Sequence, residues 1–220
     1  MPHIALSQAM RKLWSDHVIW TRLYIMAAVA DKPDPIAKLP EAVRTSAGVA
    51  APAGVFQATG PALGEADAAA GRLLKNQEDI GNAIVPFYGK ENGSKLTAIL
   101  KQHIMIAVEL INAAKAGDDA KFAEFDKKWD ENAREIAQFL AGANPNWAEA
   151  ELYDLLDQHL RLTKGEVTAR LKKDWAADVK AFDDIFTEIM VMADTLTKGL
   201  VTQFRSKFPD AVEEPLEEHA

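Results

Sequence analysis

The chain has no cysteine, which excludes disulfides, thiolate nucleophiles, iron–sulfur clusters and Cys-based zinc sites. Clustered basic charge is missing as well. The net charge is −8 and no Lys/Arg stripe occurs, so the surface lacks what releases counterions from a phosphate backbone, and no nucleic-acid partner is expected. Apolar runs are interrupted short of the roughly 18 residues that a bilayer crossing takes, so no transmembrane segment is expected and the chain reads as soluble. Val18 to Ala30 ends like a secretory signal, but Thr21 and Arg22 break the run, and a helix is the better reading. A cytoplasmic protein and an exported one whose signal has been removed both fit. Period-two alternation long enough for a strand is absent too.

What is present is helical periodicity in a globular composition: 48% hydrophobic and 26% charged residues over 220 positions. That length supports one helical-bundle domain, 1–220. In the first helix the apolar stripe runs Met10, Leu13, Trp14, His17, Val18, Thr21, Tyr24, Ile25, Ala28. A Pro/Ala/Gly-rich insertion, 34–64, follows, whose prolines cannot all sit in one helix and which is expected to lie over the surface. Further helices are expected over Glu65–Tyr88, Ser94–Ala116, Asp118–Leu140, Ala148–Lys173 and Trp175–Phe204, with Gly89, Gly117 and Gly142 as stops, before an acidic tail, 209–220. The expected architecture is an all-α antiparallel bundle of about six helices in three repeated hairpins.

The repeat carries the functional argument. Asn76-Gln-Glu-Asp79 through Gly89 lies over Trp129-Asp-Glu-Asn132 through Gly142 without a gap, and Trp175-Ala-Ala-Asp178 joins them in phase. In the partner helices Asp16-His17-Val18, Gln102-His103-Ile104 and Gln158-His159-Leu160 align, with Thr21 and Thr163 four residues after the first and third histidines. The first two histidines are 86 residues apart and their partner helices 53 apart. The insertion accounts for the difference, so it interrupts the first hairpin.

The strings Leu13 to Arg22, Asn76 to Gly89, Leu100 to Leu110, Ala113 to Asp118 and Asn144 to Trp147 resemble a family of uncharacterised bacterial helical proteins with the patterns LW..HV.WTR, NQ.DIGNAI.PFYG, LK.HI.IA.EL, AAKAGD and NPNW. The resemblance covers most of the chain outside 34–64 and implies a helical fold. Some members carry names such as acetylglutamate kinase. An amino-acid kinase is α/β with a glycine-rich phosphate loop, and neither is visible here. The family has a histidine where this chain has Glu188, a departure that bears on any site.

A histidine in mid-stripe needs a partner, because burying an unsatisfied polar ring costs a few kcal/mol. Asp79, Asn132 and Asp178, in matching phase on the neighbouring helices, are the expected acceptors or co-ligands. Three converging imidazoles beside carboxylates suit a divalent transition metal such as Zn, Fe, Mn or Cu. The candidate ligands are His17, His103, His159, Asp79, Asn132, Asp178 and Glu188, with Asp194 and Glu166 at the stripe edges. The expected function is a metal-binding bundle with a buried His/Asp cluster for storage, sensing or simple metal chemistry. The alternative is three core histidines in a non-catalytic module that binds a protein partner or small ligand. Whether any reaction is catalysed stays open. Ferritin-like Glu-x-x-His, HExxH and His-x-x-x-Glu pairs are absent. Gly89 to Lys95 has the wrong order for a phosphate loop and reads as a linker with Ser94 as a helix cap. Trp14, Trp20, Trp129, Trp147 and Trp175 are expected as packing anchors, and Met190 and Met192 as core residues.

Overall fold

The computed structural model describes residues 3–30 and 64–211. Most of the 34–64 insertion and of the 209–220 tail therefore lies outside the described residues. Five α-helices carry the chain: α1 (His3–Ala28), α2 (Glu65–Ala116), α3 (Asp119–Ala143), α4 (Glu149–Leu171) and α5 (Trp175–Gln203), followed by a 3₁₀ turn at Arg205–Lys207. No strand occurs among the described residues. Each helix packs against the next, and α5 returns to α1, closing an all-helical bundle.

Where six helices were expected, α2 runs through two of them. Gly89 alone leaves helical geometry, at φ 81° and ψ 168°, a conformation that costs glycine little. The chain reverses there, bringing Lys101 Nζ within 2.7 Å of Glu78 Oε1. Ser94, expected as a cap, therefore lies inside the helix. Gly142, expected as a stop, lies inside α3, which ends at Ala143 with Asn144 as its cap; the stops after α2 and α4 are conventional. Gly117 turns left-handed at φ 66°, the Asp118 N–H reaches back to the Ala113 carbonyl, and the Asp118 carboxylate caps α3 through the Lys121 N–H. Lys173, at φ 58°, makes the same turn after α4. There the Asp174 N–H bonds the Ala169 carbonyl and the Asp174 carboxylate caps α5 through the Ala177 N–H.

The apolar faces form two clusters. One spans most of the bundle, from Leu6, Trp14 and Leu100 through Trp129, Ile136 and Leu152 to Ile189 and Leu200. The other, smaller one gathers Tyr24, Ile25, Leu73, Ile104, Val108, Ile111 and Val167. Of the tryptophans, Trp14, Trp129 and Trp147 are buried, Trp20 is half-buried and Trp175 is exposed, with Arg170 stacked over its ring. Met192 is buried and Met190 half-buried. One window of α2 is long and apolar enough to cross a membrane, contrary to expectation, but 61% of it is buried inside the fold, as in a core helix.

Candidate functional site

His17 on α1, His103 on α2 and His159 on α4 are 3%, 4% and 4% exposed and line one cavity. Thr21, Tyr24, Leu73, Ile104, Val108, Ile111, Trp129 and Thr163 share its wall. The His159 ring centroid lies 5.6 Å from that of His17 and 6.5 Å from that of His103. The free volume is about 10 Å³, room for the centre of roughly one water molecule. Thr21 and Thr163 donate their hydroxyl protons to the His17 and His159 carbonyls four residues before them, the physical content of that sequence repeat.

Every histidine commits its Nδ1 to a polar side chain of another helical segment. His17 Nδ1 lies 3.2 Å from Gln77 Nε2, His103 Nδ1 lies 2.8 Å from Asn132 Oδ1, and His159 Nδ1 lies 3.0 Å from Glu188 Oε2. Expected partners and observed ones thus differ in two of three cases. Asp79 is one-third exposed and pairs with Arg72 and Lys75 at the surface. Asp178 is buried but serves Arg22 and Arg170. Asp194 holds Arg11 in a two-pronged ion pair.

These commitments overturn the expected metal-binding function. Among the described residues no group of three or more His, Asp or Glu side chains is placed to hold a metal ion. Of the expected ligands, Asp79 and Asp178 are spent on arginine and lysine, while Asn132 and Glu188 are each taken up by one ring nitrogen.

Burial keeps the His17 and His103 rings neutral. His17 titrates well below the ordinary histidine range, chiefly because a buried imidazolium loses hydration and secondly because His159 and His103 lie close. Burial and His159 push His103 down to about 3. Among the described residues, four of the buried polar atoms without a hydrogen-bond partner belong to side chains that touch these rings: Gln77 Oε1, Glu188 Oε1, Trp14 Nε1 and Trp129 Nε1. The last two belong to rings packed against His17 and His103.

A second polar group, not foreseen from sequence, ties three helices together. Arg22 on α1 donates to Glu166 on α4 at 2.5 Å and to both oxygens of Asp178 on α5 at 3.0 Å, while Arg170 donates to Asp178 at 3.0 Å. Two arginines face two carboxylates, so the group is electrically balanced. Burial, outweighing Arg22, raises Glu166 to about 7. Arg22 sits in the helix beside Thr21, and the break it makes in an apolar run was the one visible signal. No family model, no curated protein and no solved structure matches the chain.

Proposed function

We propose that the chain is a non-catalytic helical module that holds one small uncharged polar molecule in its interior, the head group among His17, His103 and His159. One observation carries the reading: the rings of His17, His103 and His159 line a single cavity with Nδ1 engaged elsewhere, and among the described residues no hydrogen bond reaches any of the three Nε2 atoms. Buried polar groups are almost always satisfied. A ligand head group supplies the missing bonds, and the wall of Leu73, Ile104, Val108 and Ile111 has to part to admit its apolar remainder, since the free volume itself takes only about one water-sized group. That division between an apolar wall and a few convergent polar groups is the usual build of a small-molecule site.

A three-hairpin plan belongs to the same reading. His103 and Asn132, like His159 and Glu188, are 29 residues apart. Asn76 Nδ2 donates to the carbonyl four residues before His17, as Asn132 Nδ2 does to the one four residues before His103.

Titration with 1-butanol, butyramide and cyclohexanol tests the proposal by NMR. Saturable shifts are expected for the three histidine rings and for the methyl groups of Leu73, Val108 and Ile111. Binding should raise the melting temperature, since a ligand stabilises the state that holds it by about 1.4 kcal/mol at ten times its Kd. Saturable shifts confined to the outer surface, with the rings unmoved, would refute it.

A further inference from the structure

We infer that the cavity selects a hydroxyl head group, because His17 presents a ring N–H to it and His103 presents a ring lone pair. The inference rests on the reading that the cavity binds a small molecule, and it adds the chemistry of the head group.

The polarity follows from the hydrogen bonds behind each ring. Asn76 spends its amide N–H on the Leu13 carbonyl, 2.9 Å away, so its Oδ1 is an acceptor. Gln77 Nε2 lies 3.1 Å from that oxygen and 2.9 Å from the Leu73 carbonyl. An oxygen in its place would face two other oxygens, so the atom is the amide nitrogen and it donates. Its two protons are shared among three acceptors, the Leu73 carbonyl, Asn76 Oδ1 and His17 Nδ1; a ring N–H at Nδ1 would face this donor head-on, so Nδ1 keeps its lone pair and the proton of the neutral ring lies on Nε2. At His103 the order is reversed. Asn132 Nδ2 donates to the Ile99 carbonyl, so Asn132 Oδ1 accepts from His103 Nδ1–H. His103 Nε2 is thereby left as a lone pair.

The His17 N–H and the His103 lone pair, both in the cavity wall, discriminate between head groups. A hydroxyl accepts from His17 and donates to His103. An ammonium sets its N–H bonds against the His17 N–H, and a carboxylate sets its lone pairs against that of His103. An ether accepts from His17 but leaves His103 unpaired. Thr21 and Thr163 do not alter the pattern, since their protons are taken by backbone carbonyls. The free volume matches a single hydroxyl rather than a larger polar group. A buried group left unpaired is penalised heavily, so the discrimination is large for so small a site.

The test compares 1-butanol, diethyl ether, butyrate and n-butylammonium, four probes of similar length. Butanol is expected to bind about tenfold tighter than each of the others. Nitrogen-15 NMR of the ligand-free protein should show His17 protonated on Nε2 and His103 on Nδ1. The Gln77→Glu variant, whose carboxylate must turn away from the Leu73 and Asn76 oxygens, should reverse the His17 tautomer by offering Nδ1 an acceptor, and should shift preference from butanol towards butylammonium. If that variant does not fold, the wild-type tautomers and the probe series decide. Saturable binding of all four probes with similar affinity, or a His17 proton on Nδ1, overturns the head-group inference alone. No binding by any probe, with the tautomers as stated, overturns the ligand reading beneath it.

Discussion

Acidification below about pH 6.5 is expected to unfold the bundle steeply. In the unfolded chain His17 and His103 take up a proton near their ordinary value of about 6.5. In the fold His17 titrates well below that and His103 near 3. The unfolded state therefore binds more protons below 6.5, and the stability that depends on neutral rings is complete above that pH and lost progressively as pH falls. Each unequal proton costs about 1.4 kcal/mol per pH unit, so the two rings together cost roughly 2.7. Glu166 acts in the opposite sense. Its folded value is raised to about 7, so its contribution is complete below its ordinary value, near 4.5, and lost as pH rises through 7. Between about pH 5 and 6.5 one group offsets one ring, leaving a net slope near 1.4 kcal/mol per unit; below 4.5 the full slope of about 2.7 returns.

Against a total stability of about 5–15 kcal/mol, that slope ends the fold within a few pH units. Urea unfolding at half-unit steps from pH 7.5 to 3.5 measures it. His103→Leu, which cannot titrate, should lose about half of the histidine contribution, and Glu166→Gln should steepen the loss between pH 5 and 6.5. Parallel curves for wild type and both variants would contradict the protonation states on which the cavity's polarity rests.

The helices were legible in the sequence because apolar spacing and glycine stops act locally. Gly89 and Gly117 fall where the chain turns, and His17, His103 and His159 sit on buried stripes as the periodicity required. Partner choice was not legible in the same way. The gap-free overlay put Asp79 in the place of Asn132, whereas Asn76 repeats the Asn132 contact to the carbonyl before the histidine. Three residues are most of a helical turn, about 4.5 Å of rise and some 60° of rotation short of the same face. That displacement carries Asp79 out to the arginine and lysine at the surface.

In the third copy Asp178 lies ten positions before Glu188, and it faces arginines near the start of α5 while Glu188 meets His159. Pattern matching on one acidic residue could not choose between them, because both are buried. Gln77 escaped notice for a different reason. A buried glutamine has no pattern of its own, and its role appears only when the α1 and α2 faces are brought together.

Replacing Gly81 with alanine is expected to destabilise the fold although alanine is the better helix former. A Cβ built on Gly81 lies 1.9 Å from Thr97 Oγ1 and 2.6 Å from the Gly93 carbonyl oxygen; one built on Gly93 lies 2.8 Å from the Gly81 carbonyl oxygen. The two halves of α2 thus touch backbone to backbone beyond the Gly89 turn. Thr97 can rotate away from a methyl group, but the Gly93 carbonyl is fixed in a helix and the halves must separate. Overpacking of this kind costs about 1–3 kcal/mol or more, against about 1 kcal/mol gained from helix propensity. Gln77 and His103 lie on opposite halves of this helix, so separation would also move the His17 and His103 walls of the cavity relative to each other. Gly71 provides the control, since it is exposed in the same helix and a Cβ there meets nothing within 4 Å. Gly71→Ala should therefore raise stability by about 0.5–1 kcal/mol and leave the histidine ring signals in place. Gly81→Ala should melt lower and shift them. Equal gains in melting temperature for both variants would mean that the two halves of α2 do not meet at Gly81 and Gly93.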